Sequence, residues 1–262
     1  MSQIREAAVA GLFYPANKND LKNDIRRYLD QAQLSQKIIP KAIVVPHAGF
    51  IYSGSVAASA YKYLVPLKHQ INRVVLLGPS HRVAFHGLAV PASDTFNTPL
   101  GNIRIDQQGI KQLSELPQVI VSDLAHRDEH SLEVQLPFLQ EILDDFTLIP
   151  IVVGDADCHE VADVIKQLWG DQHTLIVIST DLSHFHEYNK AKQLDRDTSD
   201  AIENLEPELI GFDDACGRNG LKGMLAVARE KKLSVDSLDL RNSGDTAGDK
   251  SRVVGYGAYA FH

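Results

Sequence analysis

Cysteine is scarce in this chain: 262 residues hold two, Cys158 and Cys216. Two thiols build no disulfide framework, and so few suit a reducing compartment. Positive charge is also short. Against 34 Asp and Glu stand 26 Lys and Arg, a net charge of −8, so no broad field draws nucleic acid or an anionic membrane. Long apolar runs are absent, which argues against a membrane span. The patch AAVAGLF near the start follows an Arg and a Glu and lacks a cleavage site. No signal peptide is expected, and the cytoplasm is the expected location. No linker rich in Pro, Gly or Ser and no internal repeat divides the chain, so residues 1–262 read as one domain.

What is present is alternation. KAIVVP (41–46), NRVVLLG (72–78), FTLIPIVVG (146–154) and HTLIVIS (173–179) read as buried strands. HGLAVPA (86–92) and QVIVS (118–122) are shorter candidates. Helices are predicted over SGSVAASAYKYL (53–64, capped by Ser53), HSLEVQLPFLQEIL (130–143, kinked or broken at Pro137), CHEVADVIKQLW (158–169), 188–204 and 217–231. SVDSLDL (234–240) and RVVGYGAYAF (252–261) close the chain with no helix between them, which predicts an antiparallel pair. Strands alternating with helices imply an α/β fold, its central sheet mostly parallel and flanked by helices.

Polar groups follow three of those strands. His47 comes directly after AIVVP, His81 after LLGPS, and Asp181 and His184 after VIST. Open α/β sheets bind ligands in the crevice outside their strand carboxyl ends. If the strands are parallel, these four residues share one edge of the sheet. Glycines at 49, 54 and 78 would let backbone approach a ligand there. A single histidine after a strand is ordinarily a hydrogen-bonded structural residue, but three equivalent placements point to a shared site. His186 ranks below His184, which lies nearer its strand.

Three further stretches carry chemistry or a bland alternative to it. In HRDEHSLEVQLPFL, Ser131 reads as a helix cap with Asp128 and Glu129 favouring the dipole. His130 and Glu133 are candidates to face the site and hold substrate. Asp245 and Asp249 lie in a glycine-containing loop between the last strands, where Asx turns compete with a ligand role. Two histidines and a carboxylate suit Fe(II); a similar zinc site would suit hydrolysis. Cys216 sits at a helix start, where a thiolate is favoured, although a buried structural thiol is the plainer reading.

Taken in order, REAAVAGLFYPAN, VVPHAGFIYSG, LLGPSHR, DEHSLEVQLPFL, STDLSHF, ACGRNG and SGDTAGD…VVGYGAYAF resemble the Memo family over nearly the whole chain. The resemblance implies a fold like that of class III extradiol dioxygenases. Those enzymes hold non-haem Fe(II) with two histidines and a carboxylate and use another histidine as acid/base. On this resemblance His47 and His81 match metal-capable histidines. Asp181 and His184 match the Thr-Asp-Leu-Ser-His stretch, with His184 as acid/base. Animal members carry a cysteine near the final site position; here a one-residue gap aligns Asp245 with it, which makes Asp245 the expected third ligand. Animal members are linked to phosphotyrosine signalling and to copper and iron redox chemistry, prokaryotic ones to a radical-SAM protein and a third partner. Two functions are therefore expected in competition. One is a redox enzyme using Fe(II), with copper or zinc as alternatives. The other is a non-catalytic module holding an anionic peptide or small ligand.

Overall fold

The computed structural model describes residues 3–34 and 37–262. The first half runs β1 (Ile4–Arg5), α1 (Lys18–Gln31), β2 (Ala42–Val45), α2 (Phe50–Tyr61), β3 (Arg73–Pro79), β4 (Leu88–Val90), β5 (Thr95–Thr98), β6 (Gly101–Ile105), α3 (Gln107–Leu113) and β7 (Val119–Val121). Then come α4 (Asp123–Arg127), α5 (His130–Glu133), α6 (Leu136–Ile142), β8 (Thr147–Val153), α7 (Cys158–Gln167), β9 (Thr174–Ser179) and β10 (His184–His186). The chain closes with α8 (Tyr188–Glu203), α9 (Arg218–Lys231), β11 (Val235–Asn242), α10 (Ser243–Thr246) and β12 (Val253–Phe261).

The sheet order is β1-β5-β6-β8-β3-β9-β2-β12-β10, with β11 on β12 and β4 on β8. Its centre, β6-β8-β3-β9-β2, is parallel throughout. The inner four, β8, β3, β9 and β2, are near-continuous aliphatic runs because helices cover both faces, and apart from Arg73 and Thr147 at their starts every residue is buried. Every residue of β2 and β9 is buried. The final strands β11 and β12 pair antiparallel as expected, but the connection between them is not helix-free: it holds the four-residue α10, too short for a crossover. No described helix is long and apolar enough to cross a membrane.

Several local expectations change. Helix α2 starts at Phe50 with Gly49 as its cap; Ser53 lies inside it and donates to the Ala48 carbonyl at 2.9 Å. Pro137 separates α5 from α6 instead of kinking one helix, because it sits in the first turn of α6 where its missing N–H has no partner to lose. The cap of α5 is Glu129, whose carboxylate accepts from Ser131 N, and Ser131 itself is the second helical residue. Gly78 serves packing, not a ligand: a Cβ there would lie 2.7 Å from Ser131 Oγ. That close approach seats α5 against the end of β3.

Candidate metal centre

Three neighbouring parallel strands, β3-β9-β2, deliver the site. Val45 stands beside Ser179 in register, and Leu77 beside Ile178. The residues just past these positions therefore emerge at one edge: His47, His81 and Asp181. The His47 and His81 rings lie 5.2 Å apart, edge to face. His130, at the start of α5, completes a triangle at 4.5 Å from His81 and 5.5 Å from His47.

The sequence-expected third ligand does not join them. Asp245 caps α10, accepting from its own cap residue Asn242 N at 3.1 Å and from the Tyr188 hydroxyl at 2.5 Å. Cys216 occupies the place instead. Its sulfur lies 3.3 Å from His47 Nε2. The donor atoms of His47, His81 and Cys216 all fall within 4.8 Å of one another. Cys216 is carried by the segment leading into α9. There Gly217 N donates to Thr180 Oγ1 at 2.8 Å, and a Cβ on Gly217 would lie 2.7 Å from the Thr180 Cβ. A glycine after the cysteine is what lets this segment press against the end of β9.

Hydrogen bonding fixes which nitrogens face the centre. Ser179 Oγ has one proton, which it donates to the Ser131 carbonyl at 2.6 Å. It must then accept from His47 Nδ1 at 2.9 Å and from Gln135 Nε2 at 2.8 Å. Gln135 is oriented in turn, since Nε2 also donates to the Pro46 carbonyl and Oε1 accepts from the Tyr61 hydroxyl. His47 thus carries its proton on Nδ1 and turns the Nε2 lone pair toward Cys216. His81 repeats the device: Nδ1 donates to Glu129 Oε1 at 2.9 Å. Metal-binding histidines are commonly anchored this way through the other ring nitrogen.

A second donor group, His81, Glu129 and His130, shares His81. Glu129 is already occupied, accepting from His81 N, His81 Nδ1 and Ser131 N at 2.6, 2.9 and 2.9 Å. It orients His81 and is therefore less available to an ion than Cys216 in the first group. His130 Nδ1 is buried without a well-formed hydrogen bond, 3.4 Å from Glu129 Oε1.

Electrostatics suit neutral imidazole ligands. Burial, then the charges of His81, His130 and His184, hold His47 well below the usual imidazole range. Burial and the charge of His81 bring His130 down to about 4. Burial alone would raise Glu129, but hydrogen bonds and charge from His81 override it and hold its carboxyl at about 2. Burial, then the Asp181 carboxylate, pushes the Cys216 thiol up to about 12. That thiol releases its proton only when a cation takes its place. Two imidazole nitrogens and one sulfur fit a transition metal, so the residues present accept the implied group.

The other expected residues lie as follows. Asp181 does not orient His184; Asp181 Oδ1 accepts from His47 N at 2.7 Å, and burial raises its carboxyl to about 7. His184 stands in β10, bonded to the Leu182 carbonyl and within electrostatic reach of His81. Glu133 does not face the centre. It is fully buried, ion-paired with Arg5, and accepts from Ala8 N, Val9 N and the Tyr14 hydroxyl. Asp249 turns back on Ser251. Sequence reasoning passed over Glu129 and Ser179 as orienting groups. For Cys216 a signal was available: one of only two cysteines, followed by glycine at a helix start.

Comparison with known proteins shows the family. Residues 5–260 match the family described as "Memo-like protein". The chain belongs to this family. A "MEMO1 family protein" of Aquifex aeolicus is 38% identical, with 97% of each chain covered. One of Methanosarcina mazei is 34% identical, with 98% of each chain covered. The crystal structure of the uncharacterized protein JW3007 from Escherichia coli K12 superposes with a TM-score of 0.51 at 12% identity, covering 84% of this chain and 99% of that one. At that identity the likeness concerns fold alone. Membership in the Memo-like family is thus shown, and the geometry adds a histidine-rich group that could hold a metal ion.

Proposed function

We propose that this Memo-like chain is a metal-dependent redox enzyme whose metal is held by His47, His81 and Cys216. The observation that carries the reading is the pair of anchored imidazoles whose free Nε2 atoms converge with a thiol. The sulfur changes the expected metal. A carboxylate in third place would favour Fe(II), whereas thiolate with imidazole favours softer ions, copper first among the redox-active ones. When bound, such a metal would supply one-electron chemistry toward oxygen or a substrate. The remaining roles belong to the protein. Glu129 and Ser179 hold the two ligand rings at fixed tautomers. His130, kept neutral by burial and with its ring against those of His47 and His81, serves as the base for a substrate group beside the centre. His184, held by the Leu182 carbonyl, is placed to pass a proton at the outer side.

The test is anaerobic purification with elemental analysis, followed by titration with Cu(I), Fe(II) and Zn(II) and by oxygen-consumption measurements. Cu(I) should bind one equivalent, most tightly, and the loaded protein should consume oxygen with a reductant present. A protein that ignores both redox metals would be a binding module instead. A protein that takes only zinc would move the proposal to hydrolysis.

A further inference from the structure

Beside the proposed centre lies a cavity of about 480 Å³ with Cys216 in its wall. It opens at the carboxyl ends of β3 and β8, so Pro79, Val83, Phe85 and Val153 give it an apolar lining. Its rim holds an arginine. Arg218 is partly buried, and its guanidinium lies 4.0 Å over the Phe212 ring. Among the described residues that guanidinium has no carboxylate and no hydrogen-bond acceptor. In a chain of net charge −8, acidic partners are plentiful, yet this arginine has none. A guanidinium seated over an aromatic ring and without another acceptor has N–H donors left for a carboxylate, which its fork matches in bidentate fashion.

We propose that this cavity binds the carboxylate end of a small organic monoanion whose apolar body reaches along Phe85 and Val83 toward the metal centre. The pocket's size suits a small molecule. One charge is favoured over two, because the cavity also holds Asp155, whose carboxylate pairs with exposed His86 at 3.2 Å. A dianionic phosphate would meet one arginine and that carboxylate together. The chemistry at the other end rests on the metal-centre reading; the carboxylate site does not.

The experiment therefore uses metal-free protein. It is titrated calorimetrically with 3-phenylpropionate, and methyl NMR shifts are followed at Val83 and Val153. 3-Phenylpropan-1-ol serves as the neutral comparator and phenyl phosphate as the dianionic one. The carboxylate should bind and shift both methyl groups, with the alcohol binding at least tenfold more weakly and the phosphate no more tightly. Arg218→Gln should weaken carboxylate binding by at least tenfold, and Arg218→Lys should restore part of it. Both variants should keep wild-type metal content, which shows that the fold and centre survive. Equal binding of acid and alcohol, or unchanged binding in Arg218→Gln, would overturn the proposal. Tighter phenyl phosphate would overturn the single-charge assignment. Failure to load metal alongside intact carboxylate binding would overturn the metal reading alone.

Discussion

Replacing Glu133 tests whether it is a structural pin and not a substrate contact. Its carboxylate is fully buried and meets four donors from the N-terminal segment: Arg5, Ala8 N, Val9 N and the Tyr14 hydroxyl. Arg5 also donates to the carbonyls of His126 and Glu129 at 3.0 and 2.8 Å, so its charge is held in place whatever happens to Glu133. Glu133→Ala would strand that buried cation, a loss of about 3–5 kcal/mol, and would leave two amides and a phenol unpaired. The sum is comparable with a whole domain's stability of roughly 5–15 kcal/mol, so the gentler Glu133→Gln is the better probe. It keeps one acceptor oxygen but turns an NH₂ toward Arg5 and Ala8 N, which share Oε2, or toward Val9 N and the Tyr14 hydroxyl, which share Oε1. The expected loss is roughly 2–4 kcal/mol in urea unfolding, the scale for an uncompensated buried charge-assisted bond. A second readout follows from Phe13, whose ring lies 4.7 Å from His130. Loosening the segment should expose His130 to diethyl pyrocarbonate faster than in wild type. A loss under about 1 kcal/mol, with His130 protected as before, would show that the buried pair is not what fastens this segment.

Other perturbations separate ligand, cap and proton carrier. Cys216→Ala and His47→Ala should each lose most bound metal by elemental analysis while keeping a cooperative melt. Asp245→Ala should leave metal content unchanged and cost only about 0.5–2 kcal/mol in urea, as loss of a helix cap does. His184→Ala should retain metal yet lower any turnover by roughly 10²–10⁴-fold; metal loss equal to that of His47→Ala would make His184 a ligand. Burial raises Asp195 to about 6, so the folded chain keeps a proton that the unfolded chain releases near pH 4. The contribution of Asp195 to stability should therefore fall as pH rises from about 4 to about 6 and then level off. This step, roughly 3 kcal/mol, should be missing in the difference profile of Asp195→Asn.

The strand-end histidines were legible because the reasons for their placement are local. Each follows a run of β-branched and aliphatic residues long enough to be a doubly covered strand. Once β2, β9 and β3 are parallel neighbours, His47 and His81 have nowhere to go but the same edge. Short or polar strands carry no such signal. TFNT and GNIRI, which form β5 and β6, alternate weakly and include Asn and Gly. They become strands because β8 offers β6 a free edge to pair with, a tertiary reason that propensity does not contain. Glu133 misleads for the same cause. A buried acid on an apolar helix suggests function until its partners are known, and here they lie more than a hundred residues earlier in the chain.

The third donor shows where residue type stops being informative. Carboxylate is the commoner companion of two histidines in iron sites, and Asp245 sits in a glycine-bearing stretch that could turn toward them. What decides against it is hydrogen-bond demand within its own loop. One oxygen takes the Tyr188 hydroxyl and the other the Asn242 amide. Moving to the centre would uncap α10 and strand both donors. Cys216 has weaker competing ties, to Asp181 N at 3.3 Å and the Thr180 hydroxyl at 3.8 Å. Sulfur is a poor acceptor beside oxygen, so a cation exchanges little to recruit it. The donor set follows from which side chain is least engaged at the place where α9 meets β9, and that contact is made by Gly217 against Thr180. A glycine beside a cysteine, ordinary in one dimension, thereby places sulfur, and not the Asp245 carboxylate, beside the two imidazoles.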